Sequence, residues 1–359
     1  MAGSRIAFRV DASPQMGGGH VMRCLTLARR LMEAGAETMF IAAAIPDPLR
    51  RLIADADIGL AEIAPAPGSA HSARDWDRAS WDETVQREDA ERTAALLADQ
   101  GYDWLLVDHY GLDARWEARV GETVGRIAVI DDLANRPHAC ALLVDQTFGR
   151  DPADYAPLTG GTAELLIGAH YALLRPEFAE ARPAALARHC APGPVERILI
   201  SLGMTDVGGL TEIAARAALA RTGAVIDIVL GSAAPTLDAL RGLAAQEPRV
   251  TLHVDTPEVC RLMVAADLAI GAAGTTSWER CCLGLPAITF AIAGNQRLIA
   301  AKLAEAGAIR LLDSTDPQAI GDALAAMSAD PELRLSLAEA SAAICDGQGA
   351  ARVASRMLD

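Results

Sequence analysis

Three consecutive glycines followed by a histidine are the first residues in this sequence whose types and spacing could do chemistry. The segment RVDASPQMGGGHVMRCLTLARRL carries Gly17, Gly18 and Gly19, then His20. Glycine tolerates positive φ and lets a ligand approach the backbone closely. The residues that follow predict a helix over 20–34 that stops at Gly35. His20 then lies in the first helical turn, where the partial positive charge disfavours imidazolium and leaves a ring able to take a proton. A tight strand-to-helix turn with a capping histidine would use the same residues, and the pattern alone supports both readings.

A second loop, GAAGTTSWERCCLGLP over 271–286, has the composition of an anion cradle. Gly271 and Gly274 expose backbone amides, and Thr275, Thr276 and Ser277 add hydroxyl donors where a helix begins, a set that suits a diphosphate. Glu279 falls within the first turns of that helix. It could accept from both hydroxyls of a ribose or simply offset the helix dipole. Gly203, in the loop LGMTDVGG after an earlier strand, offers another close backbone approach. Asn295 and Gln296 follow a buried strand and present amides at the same end of the sheet, or act as turn and helix cap.

Other chemistries lack their signatures. A dinucleotide fingerprint would need glycine where Met22 stands, and no GxxxxGK[ST] or GxSxG pattern occurs. Asp108–His109–Tyr110, Asp131–Asp132 and His138 bring possible ligands near one another in sequence, without an HxH or HExxH pattern. Loop capping and hydrogen bonding behind the site are the expected roles there, and neither a metal nor a cofactor is expected. The seven cysteines form no CxxC pair, which fits scattered thiols in a reducing compartment.

The elements that must position these loops alternate strand and helix almost end to end, the pattern of parallel sheets with crossover helices. Strands are predicted at 6–10, 38–43, 104–107, 127–130 and 142–144, three of them running into Asp108, Asp131 and Asp145. A second series begins near Val195, with strands at 197–201, 224–230, 250–253, 269–270 and 287–290, and a helix from Leu210. The segment 65–91 reads as a polar, acidic loop and helix on the rim. The Pro- and Ala-rich stretch 175–194 reads as a linker. The fold class expected is α/β, with two Rossmann-like parallel-sheet domains facing a cleft. The expected domains are 1–180, with the glycine loop and His20, and 181–359, with the second cradle.

With 359 residues, 51% of them hydrophobic, the chain can form two cores. A net charge of −15 without a Lys/Arg-rich run disfavours nucleic acid, although a single diphosphate can still be bound by backbone amides. No signal peptide is read at the start. The longest uncharged apolar stretches, such as 284–294, are about half the length of a membrane span. A soluble cytoplasmic enzyme is the expectation.

With these motifs in place, the sequence resembles the PseG-type UDP-2,4-diacetamido-2,4,6-trideoxy-β-L-altropyranose hydrolases of pseudaminic acid biosynthesis. The resemblance spans nearly the whole chain. It is carried by RVDAS…GGGHVMRCLTLA (9–28), DHYGLD (108–113), IDDLANRPH (130–138), GAHYALLRPEF (168–178), IGAAGTTSWERCCLGLP (270–286) and NQ (295–296). It implies a fold like the GT-B glycosyltransferases, with MurG as a structural relative, and UDP held mainly by the C-terminal domain. It also implies metal-independent hydrolysis at the anomeric carbon with inversion. On that pattern His20 assists the attacking water, Asp11, Tyr110 and Asn295 surround the sugar or the water, and Gly274, Thr275, Glu279 and Gln296 lie at the nucleotide. The family often has a bulky aliphatic residue in place of Met16 and one glycine fewer before the histidine, differences that bear on sugar specificity. The competing readings are a glycosyltransferase of the same fold, a non-catalytic nucleotide-sugar-binding subunit, and a nicotinamide-dependent oxidoreductase. The N-terminal loop and the lack of a membrane-binding apolar patch favour the hydrolase over the transferase.

Overall fold

A computed structural model describes residues 3–13, 18–68, 81–191 and 193–359. The chain separates into two units, Met1–Leu173 with Gln348–Asp359, and Leu174–Gly347. In the first, β1 (Arg5–Val10), β2 (Glu37–Ala42), β3 (Gly59–Glu62), β4 (Trp104–Asp108), β5 (Arg126–Ile130), β6 (Leu142–Asp145) and β7 (Glu164–Ile167) form one sheet. Its order is β3-β2-β1-β4-β5-β6-β7, with parallel pairing throughout. Strands β1 and β4 lie at the centre in register, Phe8 opposite Leu106 and Val10 opposite Asp108. Both are covered on two faces, which is why each reads as an almost continuous apolar run.

The helices of this unit are α1 (Gly19–Glu33), α2 (Asp47–Ala54), α3 (Glu83–Leu97) and α4 (Ala114–Val120). One face of the sheet buries Phe8, Phe40 and Leu106 under Leu27 and Leu31 of α1. The other buries Ala7, Ile41 and Leu105 under Ala90 of α3 and Trp116 of α4. Because the strand order reverses between β1 and β4, the loops after these strands part there and leave a crevice at their carboxyl ends.

The second unit has β8 (Arg197–Ser201), β9 (Val225–Leu230), β10 (Val250–Val254), β11 (Leu268–Ala272), β12 (Ala287–Phe290) and β13 (Arg310–Leu311). They form a parallel sheet in the order β10-β9-β8-β11-β12-β13, with its reversal between β8 and β11. Its helices are α5 (Pro176–His189), α6 (Leu210–Arg221), α7 (Leu237–Gln246), α8 (Val259–Ala265), α9 (Thr276–Leu283), α10 (Arg297–Glu305), α11 (Pro317–Ala329) and α12 (Pro331–Ala342). Ile198, Ile200, Ile228 and Ile270 are buried with Ala214 and Ala218 of α6 and Leu324 of α11. The last helix, α13 (Gly349–Leu358), returns to the first unit.

Three expectations change. The stretch 175–194 is largely helix rather than linker, because alanine favours helix and Pro176 sits in the first turn, where its missing N–H costs nothing. Arg182 pins this helix within the second unit by donating to the carbonyls of Cys282, Ala342 and Cys345. The division therefore falls at Leu173/Leu174 rather than after residue 180, and α13 does not join the 181–359 half. Val353 and Met357 of α13 are buried in the first core, and Met357 O accepts from Trp104 Nε1 at 2.8 Å. In the segment 65–91, residues 69–80 lie outside the described residues, while Gln86 and Asp89 of α3 are buried rather than solvated. Among the described residues no helix is long and apolar enough to cross a membrane.

Candidate functional site

The crevice of the first unit is closed by hydrogen bonds that cross the β1/β4 reversal. His20 is the second residue of α1, and its Nδ1 lies 2.6 Å from Asp108 Oδ1 at the end of β4. Burial alone would push the Asp108 carboxyl up, but the Arg23 guanidinium and His20 beside it outweigh burial and hold it well below the usual carboxylate range. An ionised carboxylate only accepts, so Nδ1 carries a proton, and whenever the ring is neutral the lone pair is on Nε2. Among the described residues Nε2 takes no hydrogen bond. The His20 ring meets Tyr110 edge-on, with centroids 4.6 Å apart and planes at 89°. The Tyr110 hydroxyl donates to Asp132 Oδ1 at 2.7 Å. Gly18 is the N-cap of α1 and makes no side-chain cap, and Gly19 opens the helix. Gly17 and Met16 lie outside the described residues.

A second histidine–carboxylate pair crosses the same reversal in the opposite sense. His109, just after β4, has Nε2 3.3 Å from Asp11, just after β1. The Gly111 N–H donates to His109 Nδ1 at 2.9 Å, so Nε2 is the protonated nitrogen of this ring. Burial lowers the His109 pKa, favouring the neutral ring. Asp11 also accepts from Arg9 at 2.6 and 3.1 Å and from the Ala43 N–H at 2.7 Å. Arg9 in turn donates to Asp89 of α3 at 2.6 Å, and the Trp116 indole donates to Asp89 at 2.9 Å. The Asp11 carboxylate is thus turned inward onto Arg9 and the loop after β2, where it ties strands together rather than facing outward.

The acidic ends of β5 and β6 are also spoken for. Arg136 donates to Asp131 at 2.6 Å, and Arg150 donates to Asp145 at 2.8 Å. The Tyr155 hydroxyl lies 2.9 Å from an oxygen of each. Burial pushes the Asp145 carboxyl up to about 6, whereas Asp131, buried but beside Arg136 and His138, is held low. His138 Nδ1 lies 2.7 Å from Glu117.

The second unit presents a different surface at its own reversal. Gly203 follows β8 with φ 109°, a conformation natural to glycine. Asp206 in the same loop accepts from the Thr211 N–H at 3.0 Å and from the Thr236 hydroxyl, which ties the loop to the start of α7. After β11, Gly274 and Thr275 lead into α9, and Thr275 at the N-cap spends no side-chain bond on capping. A Cβ on Gly274 would lie 3.6 Å from Gln296 Nε2, so the loops after β11 and β12 meet here. Gln296 Oε1 accepts from the Ile292 N–H at 3.0 Å, and Asn295 sits half-buried in the turn Gly294–Gln296.

Two charged groups of α9 lack the partners their burial calls for. Arg280, 3% exposed, donates to Thr276 Oγ1 at 3.2 Å, Ala272 O at 2.8 Å and Ser277 Oγ at 3.1 Å. Among the described residues no carboxylate is ion-paired with it and its Nε has no partner, and burial pushes its pKa down. Glu279 Oε2 is buried without a hydrogen bond, and burial, outweighing Arg175 and Arg280, pushes its carboxyl up to about 7. Since Arg280 donates to Thr276 Oγ1, the Thr276 hydroxyl proton is turned elsewhere, available to an acceptor at the helix start.

The structure brings His20 and Tyr110 together in the first unit; in the second it sets Gly274 beside Gln296, with Thr275, Thr276 and Glu279 following at the start of α9. It sets Asp11 behind the first site. Sequence reasoning missed Arg23 and Arg280, and it named Asp132 only among possible ligands or hydrogen-bonding groups behind the site. Arg23 had a signal, three residues from His20 and therefore on the same helix face. The pairing of His20 with Asp108, 88 positions away, had none.

No protein-family model matches the chain. The chain is 24% identical over 306 residues to a UDP-2,4-diacetamido-2,4,6-trideoxy-β-L-altropyranose hydrolase of Campylobacter jejuni, covering 84% of this chain and 97% of the relative. Among solved structures, MurG of Acinetobacter baumannii matches with a TM-score of 0.69 at 15% identity, covering 99% of both chains. The spinosyn rhamnosyltransferase SpnG in complex with thymidine diphosphate matches with a TM-score of 0.67 at 18% identity, covering 98% of this chain and 99% of that one. The two parallel-sheet units have the GT-B fold.

Proposed function

We propose that this protein is a metal-independent hydrolase that releases UDP and free sugar from a UDP-linked diacetamido-trideoxyhexose, with inversion at the anomeric carbon. The substrate on this reading is UDP-2,4-diacetamido-2,4,6-trideoxy-β-L-altrose, an intermediate of pseudaminic acid biosynthesis. The reading rests most on the His20–Asp108 contact at 2.6 Å, which turns Nδ1 to the carboxylate and leaves Nε2 for the water. In the reaction, Nε2 takes a proton from water as the water oxygen bonds to C1. The bond from C1 to the β-phosphate oxygen breaks, and its electron pair leaves with UDP. One direct displacement inverts the centre. Tyr110 walls the water beside His20.

The second unit is assigned the leaving group. The amides of Gly274, Thr275 and Thr276, the Thr276 hydroxyl and the charge of Arg280 stabilise the growing negative charge on the diphosphate. Glu279 accepts the ribose hydroxyls, Gln296 and Gly203 border the phosphates, and Asn295 meets the sugar. Asp11 acts indirectly, through the strand ends it holds. The 24% identity to the C. jejuni hydrolase over most of both chains supports the same substrate class.

The test is proton NMR of the purified protein with the UDP-sugar and no acceptor. Stoichiometric UDP release with inversion of the anomeric signal is expected. Sugar release only when an acceptor alcohol is added would point to the transferase reading instead, which the fold shared with SpnG favours.

A further inference from the structure

We propose that Arg23 is a positioning residue that sets the charge around His20, cancelling Asp108 so that the ring works as a neutral base and not as half of an ion pair. This rests on His20 being the base of the hydrolysis. A carboxylate beside an imidazole ordinarily favours imidazolium, which has no lone pair to offer water. Arg23 counters this by occupying both oxygens of Asp108, with Nε to Oδ2 at 2.6 Å and Nη2 to Oδ1 at 2.7 Å. Oδ1 is the oxygen that also faces His20 Nδ1, and Arg23 Nη2 lies 3.4 Å from that nitrogen. The carboxylate therefore keeps its geometric hold on the ring while its charge is answered from the other side.

The remaining neighbours do not replace that charge. From α1 come Arg23 and Cys24, whose Sγ is 3.5 Å from Asp108 Oδ2, and burial holds the Cys24 thiol neutral by pushing it well up. From the end of β4 come Asp108 and Tyr110, whose phenol is likewise pushed well up by burial. From the loop after β5 comes Asp132, which accepts from Arg23 Nη1 at 3.1 Å and from Tyr110. Among the described residues two carboxylates and one guanidinium lie nearest the ring, with Arg136 behind the Tyr110 ring at 6.0 Å and Arg150 donating to the Asp132 carbonyl at 2.9 Å. Removing Arg23 leaves the carboxylates facing the imidazole with nothing between.

The experiment follows His20 directly by 15N NMR of labelled histidine across pH, alongside the pH profile of kcat/KM. In Arg23→Gln, ring protonation and the acid limb of the profile are expected to move to higher pH by about one to three units. Arg23→Lys, which keeps the charge, should leave both where the wild type has them, at a lower plateau. Asp108→Asn should move both the other way, and it carries the test where Arg23→Gln does not fold. An Arg23→Gln or Asp108→Asn protein with ring protonation unmoved would overturn the proposal, even if its turnover were low at every pH. Unchanged turnover in His20→Asn would instead overturn the base assignment itself, so the two failures are distinguishable.

Discussion

The carboxyl edges of the two sheets share one topology and carry opposite chemistry. In the first unit, Asp11, Asp108, Asp131 and Asp145 each meet an arginine, namely Arg9, Arg23, Arg136 and Arg150. In the second, the edge offers glycines, hydroxyls and amides, with an arginine that has no paired carboxylate and a carboxylate oxygen that has no donor among the described residues. A self-satisfied ionic edge holds the His20 ring in one orientation. An edge with a charge left over is prepared for a ligand of opposite sign. The histidine pairs inside the first unit repeat the lesson on a smaller scale, since His109 faces the Gly111 N–H with Nδ1 and Asp11 with Nε2, while among the described residues His20 meets a polar group through Nδ1 alone.

Breaking the comparison at its strongest point means removing the base. His20→Asn should lower turnover by about 10²- to 10⁴-fold, while calorimetry with UDP shows near-normal affinity. Loss of UDP binding to the same extent would place His20 in the nucleotide site. Asp11→Ala tests the claim that the inner pair is structural. It leaves Arg9 buried with one partner fewer, and denaturant unfolding should show a loss of about 3–5 kcal/mol.

The second edge calls for smaller effects. Arg280→Met removes a buried charge that only an anion answers, so UDP affinity should fall on the order of tenfold, about 1.4 kcal/mol, while the unliganded protein melts no lower than wild type. A lower melting temperature without ligand would mean that the guanidinium's bonds to Ala272 O and Ser277 matter more than its burial. Glu279 gives the finest test. Its folded pKa, about 7, is raised from 4.5, so the folded protein binds the extra proton and this group's contribution to stability is lost as pH rises across that window. Glu279→Gln should therefore gain melting temperature relative to wild type at pH 8 and not at pH 4. Equal differences at the two pH values would remove the buried-carboxylate account.

Much of the fold was legible because buried parallel strands and alanine-rich helices leave strong local patterns. The strand at Arg197–Ser201 and the helix start at Leu210 have the bounds read from sequence, and most other strands differ by a residue or two at an end. The helix from 176 to 189 was misread because proline and alanine in quantity also mark linkers, and only its packing within the second unit separates the two. The last helix fell within the expected second domain, 181–359, although its apolar face belongs to the first core. At the sites, glycine-rich loops and the histidine after them announced themselves, whereas Asp108 was one acid among several at strand ends.

By itself the sequence determined what is local, namely which segments are strands and helices, which turns need glycine, and that a histidine begins a helix. Only the tertiary structure decided which carboxylate meets which cation, because residues as far apart as His20 and Asp108 become neighbours through strand order, and strand order is not written in any one segment. It also decided which charges are answered within the protein and which are not, since burial and pairing are properties of the packed whole.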